Sequence, residues 1–233
     1  MRINRYISAS GYSSRRQADK LIEAGMVTIN GKPAELGAVV EAGDLVQVAG
    51  RTLYLPDMDD LVYIAFNKPP GVVCTANPKV PDNIIDFINF PQRIFTVGRL
   101  DRDSRGLILL TNDGRIVNPL IHARNQQAKE YRVRVDKVIT EGFLENMRTG
   151  IAILDTVTLP ADVKRINDHE FLIEIKQGLN RQIRRMCEAL DYKVIDLQRI
   201  RIMDITLDGL EEGSWRHLSQ SEVTALKSLE DGA

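Results

Sequence analysis

Val97-Gly98-Arg99-Leu100-Asp101-Arg102-Asp103-Ser104-Arg105-Gly106-Leu107-Ile108-Leu109-Leu110-Thr111-Asn112-Asp113-Gly114 sets a charged loop directly against an apolar strand. Asp101, Arg102, Asp103 and Arg105 lie between an apolar approach (Ile94, Phe95, Val97) and the run Leu107 to Leu110. Four consecutive branched aliphatics have the pattern of a buried strand. A loop feeding straight into such a strand can hold a carboxylate rigidly beside positive charge, which suits a nucleophile or a general acid/base. Asp101 and Asp103 both alternate with arginine, so the pattern alone does not rank them.

The rest of the chain is that of a globular protein with room for one ordinary domain and a small one. It has 233 residues, 43% hydrophobic and 27% charged, which sets it apart from disordered and membrane-spanning chains. Arg2 and Arg5 are followed by no apolar run of the kind a secretory signal needs. Cys74 and Cys187 stand far apart with no metal-ligand spacing, as expected of reduced thiols in the cytoplasm. The net charge of −1 is unevenly spread. Residues 1–33 hold six Lys/Arg against two acids, residues 176–201 seven against three, and residues 202–233 two against seven. Two basic islands in a neutral chain suit a polyanion; solvated helix faces are the plainer alternative.

The first segment reads as a compact unit. Ser14-x-x-Gln17 has the form of a capping box, and Ala18, Leu21 and Ile22 follow at helical spacing. Gly25 stops that helix, Val27-Thr28-Ile29 makes a short strand, and Asn30-Gly31 is a strong hairpin turn signal. Leu45 to Val48 makes another strand. Arg2, Arg5, Arg15, Arg16 and Lys20 crowd the helical part. Residues 50–61, with Pro56, Asp57, Asp59 and Asp60, read as a linker, and the domain boundary is expected at 60/61.

Beyond it, strands are expected at Leu61–Phe66, Gly106–Thr111, Glu130–Val135, Phe171–Ile175 and Val194–Ile202. Helices are expected at 139–148, 180–190 and 219–229, the last with Ser219-x-x-Glu222 as its capping box. The absence of a regular βαβ period favours α+β with a largely antiparallel sheet.

Three further segments carry candidate chemistry. Asn67-Lys68-Pro69-Pro70-Gly71-Val72 is a rigid turn after a strand. In Lys129-Glu130-Tyr131-Arg132-Val133, alternation puts Lys129, Tyr131 and Val133 on one face; burial alone would make Tyr131 a core residue. In Asn180-Arg181-Gln182-Ile183-Arg184-Arg185-Met186-Cys187, helical spacing separates an apolar side (Ile183, Met186, Cys187, Leu190) from one bearing Arg181, Arg184, Arg185 and Glu188. Clustered arginines repel unless they face acid or phosphate.

Taken together, these segments resemble the pseudouridine synthases, and within them the RsuA family. Gly98-Arg99-Leu100-Asp101, Lys129-Glu130-Tyr131 and Asn180 to Met186 are most similar to the RluF-type enzymes of the large ribosomal subunit. Arg2 to Ile7, Ser13 to Asp19 and Val27 to Gly31 resemble the alpha-L RNA-binding module. The resemblance implies a small N-terminal RNA-binding domain followed by a synthase domain with a largely antiparallel mixed sheet. It maps the invariant aspartate onto Asp101, the base-stacking tyrosine onto Tyr131, and the arginine paired with the aspartate onto Arg184. A guanidinium beside a carboxylate favours its charged form. Arg99, Lys68, Lys129, Arg181 and Arg185 are implied as substrate-binding, with Lys68 in an element that supports the site. Arg2, Arg5, Arg15, Arg16 and Lys20 would lie on RNA phosphates.

The implied reaction turns a uridine of RNA into pseudouridine in a monomeric cytoplasmic protein that uses no metal and no organic cofactor. 23S rRNA is the expected substrate; 16S rRNA, tRNA, or a catalytically silent role in ribosome assembly are the alternatives. A silent binder would lack one of Asp101, Tyr131 and Arg184, and all three are present. A methyltransferase would show a Gly-rich cofactor loop after a strand, and none is visible. The ending at Glu230-Asp231 is acidic where several family members carry a long basic tail, a departure that bears on tail-dependent RNA contacts and leaves the catalytic assignment intact.

Overall fold

A computed structural model describes residues 1–122 and 125–229 of the chain; the acidic ending at Glu230-Asp231 lies outside them. The chain divides into two compact units. Among the described residues no helix is long and apolar enough to cross a membrane.

The first unit comprises Met1–Val62 with residues 91–93 and 112–114. It begins with α1 (Ile3–Ala9) and α2 (Arg15–Glu23). Ser14 caps α2, its Oγ accepting the Gln17 N–H at 3.2 Å. The two helices bury Ile3, Ile7, Ala18 and Ile22, while Arg2, Arg5, Arg15, Arg16 and Lys20 remain exposed. A four-stranded sheet follows in the order β2-β1-β3-β4: β1 (Val27–Ile29), β2 (Lys32–Pro33), β3 (Val46–Val48) and β4 (Arg51–Thr52). Asn30 and Gly31 both take positive φ (52° and 77°), the conformation a tight hairpin turn requires. The span read as a linker is more ordered than expected: it holds β4 and a 3-10 turn, Met58–Asp60, closed by a capping box between Asp57 and Asp60.

The second unit opens with β5 (Tyr63–Lys68), α3 (Ile84–Ile88), β6 (Phe95–Val97), β7 (Arg105–Thr111) and α4 (Val117–Ile121). It continues through β8 (Lys129–Val135), α5 (Glu141–Thr149), the small hairpin β9 (Ala152–Ile153) and β10 (Thr156–Val157), then β11 (Asp162–Arg165) and β12 (Glu170–Ile175). It closes with α6 (Gln182–Glu188), β13 (Val194–Ile202), β14 (Ile205–Thr206), β15 (Trp215–His217) and α7 (Gln220–Lys227). Among the described residues nine strands form one sheet in the order β11-β12-β8-β13-β7-β5-β15, with β14 on β13 and β6 on β7. Its strand pairs there are antiparallel except β7 with β13. The expected α+β, largely antiparallel architecture is what forms.

Burial patterns explain the strand assignments. β5 is buried throughout and β7 over Gly106–Thr111, matching their continuous apolar runs. β8 and β12 alternate, burying Tyr131, Val133 and Val135 and Phe171, Ile173 and Ile175. α5 covers this part of the core with Phe143, whose ring meets Phe171 edge-on at 5.4 Å. Two helix starts fall later than expected for local reasons. Thr140 is extended and caps α5 by accepting the Phe143 N–H, and Arg181 is left-handed (φ 51°), so α6 starts at Gln182.

The parallel joint is unusually tight. Gly106 has φ 102°, and a Cβ there would stand 2.2 Å from the carbonyl oxygen of Arg199. We expect Gly106→Ala to destabilise the protein by more than about 3 kcal/mol, through backbone strain and disruption of the β7–β13 pairing. Urea denaturation checks this; wild-type stability in the variant would show that the strands can separate without cost.

Candidate active site

The site lies wholly in the second unit. A cavity of about 190 Å³ is lined by residues of the loop before β7, of β8 and β13, and of the segment leading into α6. Among the described residues Asp101 is the only acid lining it, beside Arg99, Lys129, Lys176, Arg181 and Arg199.

Asp101 sits in a turn that is fastened from several sides. The Ser104 N–H donates to the Asp101 carbonyl at 3.1 Å. The Lys68-Pro69-Pro70-Gly71 loop holds the next residue: the Gly71 N–H donates to the Arg102 carbonyl at 2.8 Å, and Arg102 Nε donates back to the Gly71 carbonyl at 3.1 Å. Lys68 is fully buried, with its ammonium donating to the carbonyls of Pro69, Val72 and Arg102. Burial pushes its pKa down. The Leu100 N–H donates to Cys74 Sγ at 3.4 Å, and burial raises that thiol's pKa.

The arginines divide differently from their helical spacing. Arg181 precedes α6 and is the nearer partner of Asp101, with Nη1 3.4 Å from Oδ2. Arg184 points into the protein instead of sharing an exposed face: it is 9% exposed, donates from Nη2 to Ser104 Oγ at 3.1 Å, and lies 3.9 Å from Asp101 Oδ2 through Nε. That Nε is buried and otherwise unpartnered. Arg185 turns back on the Asn180 carbonyl and side chain.

Tyr131 lines the cavity and is 8% exposed. Arg199 lies directly opposite it across the β8–β13 pairing, with its guanidinium 6.0 Å from the ring centroid. Lys129, on the same face two residues before Tyr131, donates to the Gln127 carbonyl at 2.9 Å. Burial, and then the charge of Arg199, lower its pKa to about 8.

Of the residues read from sequence, Asp101, Arg99, Tyr131, Lys129 and Arg181 are brought together at the cavity, with Arg184 behind Asp101. Lys68 and Arg185 do not line it. Lys68 is corrected from a substrate-binding group to a support of the Asp101 turn, since its three donors are committed to backbone. Asp103 is exposed. Sequence reasoning missed Ser104 and Arg199. Ser104 stood inside the quoted motif; Arg199 had no local signal beyond its place in a basic island.

Comparisons with known proteins give concordant matches. The RNA pseudouridylate synthase family model matches residues 62–189, and the S4 domain model matches residues 1–46. The chain is 51% identical to the dual-specificity RNA pseudouridine synthase RluF of Salmonella typhi, over 100% of this chain and 80% of that protein. It is 36% identical to the ribosomal large subunit pseudouridine synthase B of Bacillus subtilis, over 99% and 97% of the two lengths. A solved crystal structure of a pseudouridylate synthase matches with a TM-score of 0.71 at 31% identity, covering 97% of this chain and 99% of that one.

The low pKa of Lys129 has a consequence for stability. Between about pH 8 and pH 10 the unfolded chain binds the lysine proton more tightly than the folded one, so this group makes the protein more stable as pH rises through that window. Lys129→Met removes the dependence. The stability of the variant relative to wild type is expected to fall by on the order of 1 kcal/mol per pH unit across the window, as read from urea unfolding at each pH. A constant difference would mean that Lys129 keeps an ordinary pKa.

Proposed function

Because this chain belongs to the RNA pseudouridylate synthase family and is an RNA pseudouridine synthase, we propose that it isomerises a specific uridine of 23S rRNA with Asp101 as the acting carboxylate. The observation that carries this reading is the cavity itself, in which one carboxylate lies among basic residues with a tyrosine ring on the wall. The reaction breaks the N1–C1′ bond of uridine, turns the base and rejoins it through C5. It is redox-neutral and needs only a carboxylate, a surface for the base and charge to hold the strand, so we propose that no metal or cofactor takes part.

In this reading the target nucleotide is flipped out of the RNA at a cost of a few kcal/mol. Contacts from Arg99 and Arg181 to the flanking phosphates help offset that cost. Tyr131 offers its face to the uracil. Asp101 acts at the ribose, held in place by Arg184, which also fastens Ser104. We propose the domain division at 60/61, with the S4 domain supplying affinity through Arg2, Arg5, Arg15, Arg16 and Lys20, all exposed. Such contacts position RNA without reading its sequence. We further propose a monomer acting in the cytoplasm. A second RNA substrate is favoured by one observation, that the relative 51% identical is named a dual-specificity RNA pseudouridine synthase; we propose tRNA for it.

Mapping pseudouridines in rRNA and tRNA from cells with and without the gene identifies the target; no missing site in 23S rRNA would refute the substrate assignment. Asp101→Asn is expected to leave RNA binding nearly unchanged and to slow isomerisation by at least about a thousandfold. Turnover at the wild-type rate would sink the role given to Asp101. Replacing Arg15 and Arg16 together by Gln is expected to weaken RNA binding and to reduce the slope of log affinity against log salt by roughly 0.7 for each phosphate no longer neutralised. An unchanged slope would remove α2 from the RNA interface.

A further inference from the structure

Arg199 is buried at 3% exposure on the cavity wall, and three features of the fold put it there. Its backbone is opposite Gly106 in the parallel joint, where the missing Cβ lets the strands close. Its register partner on the other side is Tyr131. The β8–β13 pairing then shifts between Arg199 and Arg201, a bulge of the kind that re-aims a side chain beside a functional site.

The guanidinium is incompletely satisfied. Nε donates to the Leu107 carbonyl at 2.7 Å, and Nη1 reaches the Tyr131 hydroxyl only at 3.5 Å. Nη2 is buried without a partner. Among the described residues no carboxylate pairs with it. A buried cation of this kind is costly unless an anion arrives. Its cavity neighbour Lys129 is also a cation, and the charge of Arg199 contributes to lowering that lysine's pKa. An arginine kept only for packing would close its fork on carbonyls or an acid; this one leaves Nη2 unpartnered on a residue that lines the cavity beside the Tyr131 ring.

We propose that Arg199 is a catalytic residue of the isomerisation, donating to a carbonyl oxygen of the target uracil and stabilising the anion that the base becomes when N1–C1′ breaks. The proposal rests on the assignment of Asp101 and Tyr131 to the uridine site. The electron pair of the broken bond stays on uracil, spread over N1, C5 and the carbonyl oxygens. The electron-poor C1′ is met by a carboxylate oxygen of Asp101 or relieved by loss of the C2′ proton to it. After the base turns, C5 supplies the pair for the new bond to C1′, Asp101 is released or the C2′ proton returned, and the C5 proton is lost while N1 gains one. Atoms and electrons balance without any co-reactant.

The test uses the full-length protein and 23S rRNA transcribed in vitro with either UTP or 5-fluoro-UTP, under single-turnover conditions. Loss of the N-linked nucleoside at the target is followed by digestion and mass spectrometry. Fluorine at C5 stabilises the uracil anion, so the fluorinated base needs the guanidinium less. Arg199→Met is expected to slow cleavage of uridine at least about a hundredfold, the usual loss for one preorganised donor to developing charge. Its deficit on 5-fluorouridine should be at least about tenfold smaller, with RNA affinity within about twofold of wild type. Arg199→Lys, which keeps the charge, should fold, recover part of the rate and show the same ordering of the two substrates; it carries the test if the methionine variant does not fold. Equal deficits on both substrates, or no deficit, in a folded variant would overturn the proposal and leave a structural arginine. A wild-type protein that cleaves neither base would instead overturn the assignment of the uridine site, and this proposal with it.

Discussion

Lys68 of β5, Gly106 of β7, Arg199 of β13 and Tyr131 of β8 stand opposite one another in a single row across the central sheet, and the site follows from that register. Directly opposed residues share a face, so side chains far apart in the chain arrive side by side. A slip of one residue in any of these pairings would turn a member of the row to the other face. The constraint is sharpest at Gly106, because the β7–β13 approach excludes even a methyl group. Fixing β7 there also fixes the loop entering it, which carries Asp101.

That loop explains why the Lys68 element matters without touching the cavity. A carboxylate on a turn among arginines would swing toward the nearest guanidinium unless its backbone were held. Lys68 holds it by donating to three carbonyls, one of them at Arg102, and Arg184 holds it from the other side through Ser104. Arg181 is left to face Asp101 from the rim, where both remain partly open to solvent. Depth therefore separates the two arginines: the buried one is tied into the scaffold, and the exposed one is the group we propose to exchange Asp101 for a phosphate.

Much of this was legible in the sequence where a signal was local. The apolar run after Arg105, the alternation in β8, the Asn30-Gly31 turn and the caps at Ser14 and Ser219 each depend on a few adjacent residues, and each forms as expected. Asp101 and Tyr131 could be singled out because each lies inside a contiguous motif. The partition of the arginines around α6 was not legible. Helical spacing put Arg181 and Arg184 on one side, but the left-handed Arg181 takes it off the helix and Arg184 is drawn inward by Ser104. Arg199 was invisible for a different reason: it belongs to the site only through the parallel joint and the bulge, both products of tertiary pairing.

The charge pattern ties fold and chemistry together. Among the described residues Asp101 is the single acid lining a cavity with five Lys and Arg side chains, so the free protein holds positive charge there that Asp101 alone does not neutralise. Burial, and then the charge of Arg199, lower the pKa of Lys129, and Arg184 and Arg199 each keep an unpartnered nitrogen. A site that bound its substrate only through hydrogen bonds would have no reason to carry this cost. A strand of RNA brings phosphates to the rim and a base that becomes anionic inside, and each of these relieves a different part of the excess. Relief at the rim is available as soon as RNA binds and contributes affinity. Relief at Arg199 grows only as negative charge develops on the base, so it favours the transition state over bound uridine and accelerates the reaction.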